Sequence, residues 1–252
     1  MELLILRKEE QAQGSFDGGR ILERKPIGFP QDKGKLRPYG NLFYWAYAWA
    51  KTDSMIGEHP HKGFEIMSFV LKGHIEHFDS QLRGWKELQE GDVQIIRAGS
   101  GITHAEKMFK GSEIFQIWFD PGLERTLSKP ATYSDYPAAT FPWEKSSVGE
   151  TLEYIGDHQR IPLDSAPLAV HRHRFTDGTH ELSANSNAVH SYFILSGTVT
   201  VGGQVLEQGD FFRVSDAAQY AIDTQDTEIF TIINSAKLNY RSYYEMMQAR
   251  TQ

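Results

Sequence analysis

Cysteine is missing from all 252 residues. Its absence excludes disulfides, thiolate nucleophiles and thiolate zinc sites, and leaves His, Asp and Glu as the strong metal ligands. No run of 18 or more apolar residues occurs, so no transmembrane helix is expected. The opening Met1-Glu2-Leu3-Leu4-Ile5-Leu6-Arg7 holds too short an apolar stretch for a secretory signal and puts an acid where a basic region belongs. A cytoplasmic location is the expectation. Basic residues are in deficit: the formal net charge is −7. No domain-wide basic footprint exists, so direct nucleic-acid binding is not expected.

Glycine (22 residues) and aromatics (12%) are plentiful, which fits a turn-rich β protein. The length allows one large domain or two of about 100–150 residues. Strands are predicted at Leu42–Trp49, Phe64–Leu71, Ile75–Phe78, Val93–Ile96 and Ile114–Phe119. In the second half they are predicted at Leu152–Ile155, Leu168–Phe175, Ser191–Leu195, Val199–Val201, Phe211–Val214 and Ile229–Ile233. Short strands at this spacing, bounded by Gly and Asp turns, indicate a sandwich or barrel. The fold class is therefore all-β. The expected boundaries are a first domain over 1–125, a Pro- and Ser/Thr-containing linker over 126–150, and a second domain over 151–252, with a short helix within Asn239–Ala249.

The two halves echo each other. Glu65 to Gly73 followed by Leu88-Gln89-Glu90-Gly91-Asp92-Val93 parallels His190 to Gly197 followed by Leu206-Glu207-Gln208-Gly209-Asp210-Phe211. Tandem duplication of one β domain is the economical reading.

Two short pieces carry the chemistry, His59-Pro60-His61 and His104-Ala105-Glu106. On an extended strand, residues i and i+2 share a face. One pair thus presents two imidazoles and the other an imidazole and a carboxylate. Brought together, they form a three-His, one-carboxylate site that suits a divalent transition metal with positions left over. The duplication places Ser183, Asn185, Ile222 and Thr224 opposite these four positions, so the second domain keeps the scaffold without the ligands. Gly99 and Gly101 supply a tight turn that swings His104 and Glu106 inward. His171-Arg172-His173 repeats the His-x-His spacing, but no His-x-Glu partner follows it, and it reads as a half-exposed strand. His74 and His77 flank a hairpin and read as structural, with Asp79 as a brace for His77. Phe43, Trp45 and Tyr47 alternate on one face and read as core.

His59-Pro60-His61-Lys62-Gly63-Phe64-Glu65 resembles the first cupin motif in its pirin form. Gly73 to Ser80 is similar to the pirin continuation. Gly91 to Gln94, with Ala98 to Glu106, resembles the second pirin motif. Lys62 departs from a common Arg in the family. The resemblance implies a bicupin, two tandem jelly-roll-type β-barrels with metal only in the first. It implies His59, His61, His104 and Glu106 as ligands, with Glu65 standing behind them to orient a histidine. Iron is the first expectation; nickel, manganese, cobalt, copper and zinc tolerate the same donor set. The family is associated with quercetin 2,3-dioxygenase activity. That activity implies a small aromatic substrate and dioxygen, with Glu106 as general base. The eukaryotic pirin is also described as an iron-dependent transcriptional co-regulator, so a redox-responsive binding protein with a protein partner is the alternative.

Overall fold

A computed structural model describes residues 1–250. Strands dominate it, with two short α-helices, Leu123–Thr126 and Tyr243–Arg250, among the described residues. The chain divides into two compact units.

The first unit runs over Gln11–Thr140, with Leu163–Ser165 and the chain from Asn239 onward added to it. It holds a seven-stranded and a four-stranded antiparallel sheet. In the larger sheet, Glu65–Lys72 lies between Val93–Arg97 and Glu113–Phe119, and every residue from Glu65 to Leu71 is buried. That pattern explains why both faces of this strand are apolar in sequence: each is covered by other protein. The smaller sheet orders its strands as Ser54–His61, Ile102–Met108, His74–Asp79 and Trp85–Gln89. One cluster ties the two sheets together, since Val70 and Ile114 of the larger pack with Ile75, Leu88 and Met108 of the smaller.

The second unit comprises Met1–Glu10, Phe141–Pro162 and Ala166–Leu238, built on a nine-stranded sheet. Its core packs Tyr192, Ile194, Phe212, Val214 and Ile229, among others.

Each strand predicted from sequence is present, most with ends shifted by a residue or two. Three differences have physical causes. Ser191–Leu195 and Val199–Val201 are parts of one strand, Ala188–Val201, which passes Gly197 through register shifts. Gly197 has φ +70°, so it bulges the strand rather than ending it. Ser54–His61 is one strand, although its first half, up to Gly57, reads as turns in sequence; its place at the sheet edge tolerates Pro60. The span 126–150, expected as an ordered linker, contributes a strand to each unit. Thr132–Tyr136 pairs with Val93–Arg97 in the first unit, and Trp143–Ser146 pairs with Gly149–Ile155 in the second.

The termini also trade places relative to the boundaries drawn from sequence. Glu2–Leu6 pairs with Phe211–Ser215 of the second unit, and Arg7 reinforces this through an ion pair with buried Asp210 at 2.9 Å. The C-terminal helix belongs to the first unit, where the Tyr243 backbone N–H donates to Asp120 Oδ2.

Candidate metal centre

Both pairs singled out in the sequence lie on adjacent strands of the four-stranded sheet, and His104 is registered directly against His59. Between His104 and Glu106 the register slips, so that Glu106 faces Ile56. The edge strand therefore carries an extra residue beside the site, a bulge of the kind that re-aims side chains. Gly99 makes the preceding turn possible: φ is +45°, and a Cβ there would sit 2.4 Å from the Lys129 carbonyl oxygen.

The three imidazoles meet through one type of atom. His104 Nε2 lies 2.8 Å from His61 Nε2 and 2.9 Å from His59 Nε2. His59 Nδ1 donates to the Gly57 carbonyl at 2.8 Å, which leaves Nε2 with its lone pair. Burial, with neighbouring imidazoles adding to it, lowers the pKa of His61 to about 3 and that of His104 to about 2. The His61 and His104 rings are thus neutral at pH 7. A neutral imidazole has one N–H, so a single proton cannot satisfy both contacts at His104 Nε2. A cation at their common point would satisfy every lone pair. Two nitrogens at about 2.0–2.1 Å from one ion and about 90° apart are separated by roughly 2.9 Å, which matches the observed spacing. The donor set therefore fits a transition-metal ion.

His61 and His104 are buried, whereas His59 is partly exposed and gives the cluster its open side. Glu106 is fully buried and shares His104 with this cluster: His77, His104 and Glu106 form a second group within metal-holding range. One Glu106 oxygen accepts from Ser68 Oγ at 3.3 Å and the other from Gln116 Nε2 at 2.9 Å. His77, read from sequence as structural, comes closer to the centre than expected. Both of its nitrogens have partners, Asp79 Oδ2 at 3.0 Å and Gln94 Nε2 at 3.1 Å. Its ring stacks on Tyr133 with centroids 4.8 Å apart. Its register opposite Glu106 was the signal that could have flagged it, and that register is visible only once the strands pair.

Glu65 is not brought to the histidines. Its carboxylate accepts from the backbone N–H groups of Asp164 and Ser165 at 2.8 and 2.9 Å, with Arg97 3.9 Å away. Burial raises its pKa, and these hydrogen bonds oppose the rise. In this position it ties residues 163–165 to the first unit.

Aromatic side chains line one flank of the centre. Trp118 meets the His61 ring edge-on at 4.8 Å and packs with Phe43 and Phe64. Buried Trp45 and half-buried Tyr47 pack on Phe115. In the second unit, His173 Nδ1 is paired with Thr151 Oγ1 at 3.0 Å, and His171 Nε2 lies 4.0 Å from a Glu153 oxygen. Both metal-capable groups found among the described residues belong to the first unit.

Residues 42–119 match the Pirin family model, the stretch that carries every residue of the centre. A pirin-like protein of Caulobacter vibrioides is 33% identical over 242 residues, spanning 92% of this chain and 100% of that protein. A Zymomonas mobilis protein provisionally named a quercetin 2,3-dioxygenase is 26% identical over 247 residues, spanning 93% of this chain and 100% of that one. In fold, the bacterial pirin YhhW of Escherichia coli, crystallised in complex with nickel(II), matches with a TM-score of 0.77 at 18% identity, covering 94% of this chain and all of that one. Two β units, a histidine cluster in the first, and a relative 33% identical along its whole length lead to one conclusion: the chain belongs to the pirin family and has the bicupin fold.

Proposed function

We propose that this protein is a metal-dependent dioxygenase acting on flavonols such as quercetin. His59, His61, His104 and Glu106 hold the ion, with iron the first candidate and nickel the second. The convergence of three imidazole Nε2 atoms, with Glu106 beside His104, carries the proposal. Relatives named as quercetin 2,3-dioxygenases support the choice of reaction, including an Escherichia coli protein 41% identical over 68 residues, 26% of this chain and 29% of that one.

A divalent ion in this donor set supplies Lewis acidity toward a substrate's hydroxyl and keto oxygens. The chain's own groups do the rest. His59 Nδ1, tied to the Gly57 carbonyl, keeps its ring in the ligating tautomer. Glu106 takes the proton of the substrate hydroxyl on a carboxylate oxygen, leaving an electron-rich flavonolate to react with dioxygen. Trp118, packed against Phe64 and Phe43, offers an apolar flank beside His61 that orients an aromatic substrate and keeps water away.

The test is quercetin consumption under air by protein stripped of metal and reloaded with one metal at a time, with carbon monoxide measured alongside. Turnover with at least one metal is expected. Glu106→Gln should still take up metal but lose roughly 10²–10⁴-fold in kcat, the usual contribution of general base catalysis. Stoichiometric binding without turnover for any metal would overturn the enzymatic reading in favour of a metal-binding regulatory protein.

A further inference from the structure

The four-stranded sheet carries His77, His104 and Glu106, yet the groups that hold two of them come from the other sheet. Gln94, Ser68 and Gln116 sit on three adjacent strands of the seven-stranded sheet and are registered as one row, Gln94 against Ser68 and Ser68 against Gln116. Gln94 Nε2 donates to His77 Nδ1, Ser68 Oγ to one Glu106 oxygen, and Gln116 Nε2 to the other. Gln116 could present either end of its amide. Trp118 decides which: its indole N–H donates to Gln116 Oε1 at 3.2 Å, and an indole can only donate. The amide nitrogen is thereby turned to Glu106. Trp118 also meets the His61 ring edge-on, so one short chain of contacts runs from one end of the donor set to the other.

The geometry points to this polar row as the positioning frame of the metal centre, with Gln116, locked by Trp118, setting the orientation in which Glu106 meets the ion. The inference rests on Glu106 being a ligand, as proposed above. Gln116 itself is a positioning residue.

Cobalt(II) is the probe, added to the stripped full-length chain and read by its visible absorption bands and by chelator competition. Gln116→Met keeps the side-chain length and removes both hydrogen bonds. It should weaken cobalt binding roughly 10–100-fold, the usual effect of losing a partner behind a ligand, and should alter the band pattern. Ser68→Ala, a smaller change to the fold, should shift the bands in the same direction. Trp118→Phe, which frees the amide to flip, should weaken binding by a smaller factor than Gln116→Met. Glu106→Gln separates the two ideas. If it leaves the cobalt spectrum unchanged, Glu106 is no ligand, and both the donor set and the frame fall. If it changes the spectrum while Gln116→Met and Ser68→Ala, both folded, leave spectrum and affinity intact, the frame alone is overturned.

Discussion

At the scale of single residues, similar side chains take unlike roles because of what lies within hydrogen-bonding reach. His59, His61 and His104 direct nitrogen atoms at one another. His77, fully buried like His104, spends both nitrogens on Asp79 and Gln94, which makes it a brace. The two buried glutamates divide in the same way: Glu106 meets side chains beside the histidines, whereas Glu65 meets two backbone amides. This division can be tested. Glu65→Ala removes two hydrogen bonds to a charged acceptor, each worth about 1.5–3 kcal/mol. The expected result is a loss of about 3 kcal/mol in urea unfolding and faster proteolysis near residues 163–165, with metal affinity unchanged. A fall in metal affinity without a fall in stability would instead place Glu65 behind a ligand histidine. The motif around Glu65 points to the residue itself; its partners, 99 and 100 residues downstream, become visible only in the folded chain.

At the scale of elements, sequence periodicity located strands well where one side chain in two or a whole run is apolar. It failed where a strand has to bend. Ser54–His61 lies at a sheet edge, with polar side chains, a glycine and a proline, and its first half, up to Gly57, is identified only by its pairing with Ile102–Met108. Sequence divides the long strand Ala188–Val201 at Gly197, because glycine after an apolar run usually marks a stop. In the structure Gly197 packs against the neighbouring strand so closely that a Cβ would lie 2.1 Å from the Asp226 carbonyl oxygen. Gly197→Val combines that clash with a positive φ, and the expected cost exceeds about 2 kcal/mol in chemical denaturation. A change of a few tenths would mean that the bulge is free to relax.

At the scale of the whole molecule, chain ends and buried histidines matter most. Each terminus completes the unit built mainly by the other half of the sequence: Glu2–Leu6 the second, the helix Tyr243–Arg250 the first. Burial also leaves the second unit with several histidines that resist protonation. His173 is lowered to about 3, with His171 contributing to the drop, and the pKa values of His171 and His190 are lowered by desolvation as well. In the unfolded chain each takes up a proton near pH 6.5. Between that pH and about 3 the unfolded state binds more protons, so this contribution is complete above pH 6.5 and is lost as the pH falls. Thermal unfolding followed from neutral to acid pH should show Tm falling, and His173→Leu should flatten the acid limb. An identical slope in the variant would remove His173 from the account.

The sequence by itself determined the all-β class, the duplication and the His-x-His and His-x-Glu pairs, because strand alternation, glycine turns and i, i+2 spacing are local properties of the chain. It placed His59, His61, His104 and Glu106 on the right kind of element before any pairing was known. Tertiary structure alone decided that His104 faces His59, that His77 stands beside Glu106, and that Gln116 and Ser68 reach across from the opposite sheet. It also decided which unit each terminus joins. Those facts depend on strand register and on contacts between residues far apart in sequence, and a one-residue slip of register would turn every such side chain to the other face.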